Sequence, residues 1–343
     1  MRCTLLGLLV LTAGVARAAE APTLTAKEIA DGWLMLFDGE TTFGWEISGD
    51  AAVKDGALVL GGSKPTTART KTVFGALNYN IDYSFTGSPA AGPFKVQYGA
   101  GPPLYHAGGG GQQIGDDTAT RTSAHVPGPV IVTVPGGTTV TIRRLKVRPL
   151  DLRPLFNGKD LTGWKLFDGD RNRTKSKFTV TSEGWLNVKD GPGDLQTEKT
   201  FGDFVFQGEC ISNGKHLNSG LFFRCIANQY QNGYEMQIRN QWEGEDRTKP
   251  VDFGTGAIYR RVPARKVVST DGEWFTMTLV AHANHFATWV NGYPVVDWTD
   301  TRAEHDNPRN GLRRAAGHLS IQGHDPTTDL SFRNLRIAEL KKE

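Results

Sequence analysis

The chain repeats itself at both ends of two long stretches. Leu36-Phe37-Asp38-Gly39, with Gly44-Trp45 after it, returns as Leu155-Phe156-Asn157-Gly158, with Gly163-Trp164 after it. Thr141-Ile142-Arg143-Arg144-Leu145-Lys146-Val147 returns as Ser331-Phe332-Arg333-Asn334-Leu335-Arg336-Ile337. When two stretches open and close with the same pieces, the fold is constrained to two related modules. The length of 343 residues agrees with two domains. The boundary falls near Pro149 to Arg153, giving a first module over 31–148 and a second over 152–340. The first is markedly shorter and offers no match to Gly233-Tyr234-Glu235-Met236-Gln237-Ile238. It is therefore expected to be a truncated sandwich with a structural role, or a worn-down binding module.

Both modules read as all-β. In the first, Ala57–Leu60, Tyr79–Phe85, Phe94–Tyr98, Val130–Val134 and Thr139–Val147 are short alternating or apolar runs between Gly and Pro punctuation. The four glycines Gly108–Gly111 lack the Lys-Ser/Thr ending of a phosphate loop and read as a flexible loop. The second module continues the pattern, with strands expected at Phe204–Ile211, Leu221–Ile226, Gly233–Ile238, Ala257–Arg261, Phe275–Ala281, Phe286–Val290, Pro294–Trp298, His318–His324 and Leu330–Ile337, among others. Asn291-Gly292 is a hairpin turn signal. Helix is expected only after Thr25, where Thr25 and Glu28 form a capping box, and at Thr301–His305. Many short strands at regular spacing argue for sandwiches.

Residues 1–18 stand apart. Arg2, the apolar run Leu5–Val15 and Ala16-Arg17-Ala18 together read as a secretory signal peptide with cleavage after Ala18. Residues 19–30 follow as a spacer and the short capped helix. The mature chain is expected to be exported, periplasmic or extracellular, with no membrane span. Net charge is only +3 and no basic run occurs, so nothing points to nucleic acid. Cys210 and Cys225 both fall on the apolar parity of their strands. An oxidising compartment would let them pair, and burial as free thiols is the equal alternative.

Alternation also locates a polar face. In Asn218–Asn240, Tyr234, Met236 and Ile238 share one side, and Glu235, Gln237 and Arg239 the other. On the preceding strand Phe222 and Arg224 oppose Leu221, Phe223 and Cys225. Further on, His318, Ser320, Gln322 and His324 oppose Leu319 and Ile321. Asn218, Arg224, Glu235, Gln237, Tyr259, Gln322 and His324 are therefore candidates for one concave polar surface, to be weighed against an ordinary solvated sheet face. Glu235 is the only carboxylate on its strand, so a two-carboxylate glycosidase has weak support. HExxH, G-x-S-x-G and Rossmann patterns are absent. Glu243, Glu245 and Asp246 read as solvated loop charge, since their spacing is not that of a calcium loop.

The second module resembles the 3-keto-disaccharide hydrolase domain family. The resemblance rests on Leu155–Trp164 (LFNGKDLTGW), Asn218–Arg224 (NSGLFFR), Gly233–Ile238 (GYEMQI), Thr255–Tyr259 (TGAIY), Gly272-Glu273-Trp274, Asn291-Gly292, Gly317-His318-Leu319 and Phe332–Ile337, in that order. It implies a concanavalin A-like jelly roll and a small carbohydrate substrate already oxidised to a ketone at C3. That ketone acidifies the C2 proton and lies beta to the glycosidic oxygen, so one base, one enolate stabiliser and one proton donor suffice. The resemblance assigns Glu235 and His324 as acid and base in either order. Arg224 would act as enolate stabiliser, and Asn218, Gln237, Tyr259 and Gln322 as hydroxyl ligands. No cofactor is required; a divalent metal at Glu235 and His324 stays an open alternative. Asn240 stands where many relatives carry an acidic residue, which would separate binding from catalysis if that residue belongs to the site. The competing class is a non-catalytic carbohydrate-binding or surface interaction module on the same fold. Sugar, linkage and oligomeric state are not written in the sequence.

Overall fold

A computed structural model describes residues 23–87, 92–99, 101–106, 111–121 and 127–340, with backbone alone at 105 and 111–121. The leader at 1–18 and most of the Gly108–Gly111 run lie outside the described residues. The expected helix is Ala26–Ala30, and its capping box forms: Glu28 N donates to Thr25 Oγ1, and Thr25 N donates to Glu28 Oε2 at 2.8 Å.

The remainder is two antiparallel sandwiches with the same wiring. In the first, one sheet runs Ala51–Lys54, Ala57–Gly62, Thr138–Pro149, Leu77–Gly87, Gly111–Arg121, with Leu34–Met35 also on Thr138–Pro149. Its partner runs Trp45–Ser48, Thr66–Thr70, Val130–Val134, Phe94–Tyr98, Leu104–His106. In the second, one sheet runs Lys177–Val180, Leu186–Lys189, Asp329–Glu339, Phe204–Ser212, Phe275–His282, His285–Val290, Tyr293–Thr299, with Arg153–Pro154 on Asp329–Glu339. Its partner runs Trp164–Leu166, Gly193–Phe201, Gly317–Gly323, Ser219–Cys225, Tyr234–Ile238. Strand for strand, the second repeats the first and adds the hairpin His285–Val290 and Tyr293–Thr299. That hairpin turns at Asn291 and Gly292, both with positive φ (50° and 70°), as a two-residue primed turn requires. The fold is a concanavalin A-like jelly roll built of β-strands, with a smaller relative in front of it.

Several sequence expectations need correction. The Tyr234–Ile238 strand does have a topological counterpart in the first sandwich, the short Leu104–His106 strand. It escaped notice because no motif survives there. Ala257–Arg261 is not a strand but a turn, with Ile258 bridging Met236 and Val262. Positive φ at Gly254, Gly256 and Arg260 bends that segment out of extended pairing. Thr301–His305 is not helical; Glu304 instead makes a parallel bridge to Leu312. Cys210 and Cys225 are buried free thiols on different sheets.

The sandwiches share an apolar seam. Along Phe204–Phe206 and Leu279–Ala281, alternate side chains enter different cores. Phe204, Phe206, Leu279 and Ala281 face the second core, and Val205 and Val280 face the first. Ala287 and Trp289 join Val205 and Val280 in the first core, with Leu34, Leu36 and Phe74. A sheet buried on both faces reads as a continuous apolar run, and these stretches do. Polar contacts fix the seam: Trp289 Nε1 donates to Met35 O (2.9 Å), Gln207 Nε2 to Gly32 O (3.0 Å), and Arg265 pairs with Asp38 (2.8 Å). The first sandwich thus covers one face of the second and leaves the opposite sheet's outer face free.

Candidate functional site

That outer face carries the polar residues. Tyr234, Met236 and Ile238 enter the second core, so Glu235 and Gln237 turn away from it. Registry extends the face across four strands. Glu235 lies opposite Phe222, Phe222 opposite Ser320, and Ser320 opposite Gln196. Gln237 lies opposite Gly220, and Gln322 opposite Asp194. Gly220 has a steric reason to be glycine, because a Cβ there would lie 2.5 Å from Glu235 Oε1. The Glu235 carboxyl therefore leans over the backbone of the neighbouring strand.

A cleft of about 440 Å³ opens above this floor. Of the seven candidates from the sequence, Asn218, Glu235, Gln237, Tyr259, Gln322 and His324 line it. Arg224 does not. A register shift between Phe222 and Cys225, with Arg224 at φ 51°, breaks the alternation at this residue. Its guanidinium is fully buried against Asp203 (2.9 Å) and donates to the carbonyls of Gly202, Ala283 and Arg313. Parity counting assumes an unbroken strand, and the bulge defeats it. Asn240 also lies outside the cleft. It is buried under a separate groove, where its Oδ1 accepts from Thr255 and Ser269 hydroxyls.

Glu235 is the chemical centre of the floor. It is 9% exposed, and among the described residues no group donates a hydrogen bond to its carboxyl. Burial pushes its pKa up to about 8; Arg309 and Arg260 pull it down, and Asp252 and Asp194 push it further up. It therefore carries a proton at neutral pH. His324 is held differently. Its Nδ1 meets Asp325 Oδ2 at 2.7 Å, and Asp325 in turn accepts from Thr327 N (2.8 Å). The Asp325-Pro326-Thr327-Thr328 turn thus orients the imidazole.

Two further carboxylates were missed. Asp194, 2% exposed, accepts from Gln231 N at 3.0 Å, and burial raises its pKa to about 6 despite that bond and the polar Gln231, Gln196 and Ser320 side chains nearby. Its alternation with Leu195 and Gln196 was a usable signal. Asp252 accepts from Asn218 Nδ2 (3.0 Å) and, through its backbone carbonyl, from Gln237 Nε2 (3.1 Å). Asp252 and Phe253 both hold left-handed φ (48° and 70°), a strained pair of non-glycine residues beside the cleft. Nothing in the sequence marks this pair.

The walls come from loops. Tyr259 N donates to Glu235 O (2.9 Å), docking its turn on the edge strand, and its ring packs on Phe253. Arg260, Arg261, Pro308 and Arg309 follow, and Tyr230, Gln231 and Arg173 complete the lining. Gln322 Oε1 is buried with no hydrogen-bond partner, an acceptor ready for a ligand hydroxyl. Among the described residues no group of three or more His, Cys, Asp or Glu side chains is placed to hold a metal ion. No described helix is long and apolar enough to cross a membrane.

Comparison with known proteins places the second sandwich. No curated protein matches the sequence. Among solved structures, a putative glycosyl hydrolase from Parabacteroides distasonis is 22% identical, covering 55% of this chain and 94% of its own, with TM-score 0.45. A carbohydrate-binding module from Bacillus subtilis is 14% identical over 50% of this chain and 93% of its own (TM-score 0.37). A beta-glucanase from Bacillus licheniformis is 15% identical over 54% and 96% (TM-score 0.36). The model of the 3-keto-alpha-glucoside-1,2-lyase-like domain matches residues 151–338, more than half of the sequence. The chain therefore belongs to this carbohydrate-active family.

Proposed function

We propose that the protein is an exported enzyme that cleaves 3-keto-glycosides by elimination and hydration. The observation that carries this reading is Glu235, a buried carboxyl with pKa about 8 at the bottom of a polar cleft that His324 also lines. A protonated acid and an oriented imidazole are the pair the chemistry requires. His324 takes the C2 proton, and the electron pair moves onto the C3 ketone oxygen as an enolate. The enolate collapses, the C1–O bond breaks, and the leaving oxygen takes the Glu235 proton. Water then adds at C1 of the resulting enone and C2 is reprotonated, for net hydrolysis. Arg309, whose charge acts on Glu235, stabilises the enolate in place of the buried Arg224. Asn218, Gln237, Tyr259 and Gln322 hold sugar hydroxyls. Pre-bonding of Asn218 and Gln237 to Asp252 fixes the two amides before substrate arrives.

The test is incubation of the mature protein with 3-keto-trehalose and with a 3-keto-glucoside in D₂O, with and without chelator. Release of sugar with deuterium at C2 supports the reading. Release without label would replace elimination by direct hydrolysis, and loss under chelator would add a metal. Binding of unoxidised glycans with no release from either keto-sugar would move the protein to the non-catalytic binding class.

A further inference from the structure

Several arginines outside the cleft are held in close ion pairs. Arg224 meets Asp203, Arg265 meets Asp38, Arg302 meets Asp300, Arg314 meets Glu304 and Arg333 meets Glu209, each within 3 Å. At the cleft Arg173, Arg260, Arg261 and Arg309 converge, and none forms an ion pair with any described carboxylate. They are nevertheless held in place. Arg173 stacks over Tyr230 (4.9 Å), Arg260 lies over Tyr259 (5.3 Å), and Arg309 donates to Gln231 O (2.9 Å). Arg261 donates to Arg309 O (2.8 Å), and burial, then repulsion from Arg302, lowers its pKa.

The nearby carboxyls balance this charge only in part. Glu235 is neutral below about pH 8. Asp252, bonded to the neutral amides of Asn218 and Gln237, and Asp194, bonded to Gln231 N, set two carboxylates against four guanidiniums. Four guanidiniums against two carboxylates leave a surplus of positive charge, and a neutral sugar offers it no relief. Planar guanidiniums stacked on tyrosine faces keep their donors directed for bidentate capture of an oxyanion.

We propose that the substrate carries an oxyanion, a carboxylate or a sulfo or phospho group, on the part that leaves, and that Arg173 and Arg260 hold it at the cleft mouth. This rests on the keto-glycoside reading and names the substrate class within it. The two arginines come from segments far apart in sequence, just ahead of the Lys177–Val180 strand and within the long connection that follows the Tyr234–Ile238 edge strand, and both line the one cleft.

The experiment uses three matched 3-keto-glucosides, with 4-carboxyphenyl, 4-sulfophenyl and neutral 4-carbamoylphenyl leaving groups. Calorimetry with the full-length Glu235→Gln protein measures binding of the same three. The expected kcat/KM for the anionic compounds exceeds the neutral one by about tenfold or more at low salt, as charge-assisted bonds would give. That ratio should fall toward one in Arg173→Gln and Arg260→Gln, and toward one as ionic strength rises. Preference for carboxylate over sulfonate, or the reverse, identifies the oxyanion. Equal kcat/KM and equal affinity for all three overturns the proposal while leaving the keto-glycoside reading standing. If none is turned over, that reading fails, and the calorimetry alone decides: tighter, salt-sensitive binding of the anionic compounds upholds the anion site, and equal or absent binding removes it.

Discussion

The two sandwiches share a strand order but differ in what connects their strands, and the cleft described above is built from the connections of the second. In the first, Leu104–His106 is followed by a strand beginning at Gly111; in the second, Tyr234–Ile238 is followed by residues 239–274 before Phe275–His282 begins. That long connection supplies Tyr259, Arg260 and Arg261 to the lining and Asp252 as the partner of Asn218 and Gln237, and residues 300–316 supply Pro308 and Arg309. The equivalent edge strand of the first sandwich turns His106 inward, where it bonds Tyr79 (3.1 Å) and stacks on Phe94. The edge strand of the second likewise sends Tyr234, Met236 and Ile238 inward, and between them it sets Glu235 and Gln237 on a walled floor. A jelly roll supplies the sheet, and inserted loops supply the site.

The sharpest way to break this contrast is at Glu235. Glu235→Gln keeps the shape and removes the transferable proton, so kcat should fall about 10²- to 10⁴-fold with thermal stability at neutral pH at least that of the wild type. In the wild type, kcat/KM should decline as pH rises through about 8, where Glu235 loses its proton. A profile that instead climbs through that pH would reverse the acid and base roles.

Next in size is Arg224, where sequence and structure part. Its guanidinium is fully buried against a carboxylate, Asp203, that is 10% exposed, and Arg224→Gln removes the cation from that pair, at a cost of about 3 kcal/mol in denaturant unfolding. The kcat of the molecules that remain folded should hold. A large kcat loss with intact stability would return Arg224 to the catalytic set. Trp289→Ala, at the seam, is expected to cost about 3–5 kcal/mol through lost burial and the indole bond to Met35 O, again without touching kcat. Together these two would separate the covered face from the working face.

Much of the fold was legible because alternation is a backbone property. Val130–Val134 and Phe94–Tyr98 begin and end where the pattern says, and the seam shows as apolar runs at Phe204–Phe206 and Leu279–Ala281. The floor was legible for the same reason: Glu235, Gln237, Gln322 and His324 follow from parity. The walls were not. Arg309, Tyr230 and Asp252 sit on irregular backbone, where no period ties sequence position to direction. Arg224 was misplaced because a single residue at positive φ flips the parity of everything inferred from it. Gly220 was visible as a residue but not as a cause, since only the cross-strand register brings it under Glu235. Gly220→Ala should therefore displace that carboxyl and cut kcat/KM by about tenfold or more, with about 1–3 kcal/mol of overpacking. A full-rate Gly220→Ala enzyme would show that the carboxyl's position over this strand is immaterial.

The smallest effect compares how the two faces answer pH. On the covered side, Asp38 has its pKa lowered: hydrogen bonds from Thr41 and Glu40 backbone and from Arg265 outweigh the burial that would raise it. A lowered acid stabilises the fold above its unfolded pKa, and that contribution is lost as pH falls through the folded value. On the cleft side the sign is opposite. Glu235 is raised to about 8 and Asp194 to about 6, chiefly by burial, so the fold binds these protons more tightly than the unfolded chain does. Their contribution is complete below the unfolded carboxyl pKa and drains away as pH climbs through 6 and then 8. Thermal unfolding followed from pH 5 to 9 should therefore show a decline on the alkaline side that Glu235→Gln flattens and Asp38→Asn leaves alone. Asp38→Asn should instead soften the loss below pH 4. If both substitutions flattened the same limb, the two faces would not be electrostatically separate, and the division into a covered sheet and a working sheet would have to be redrawn.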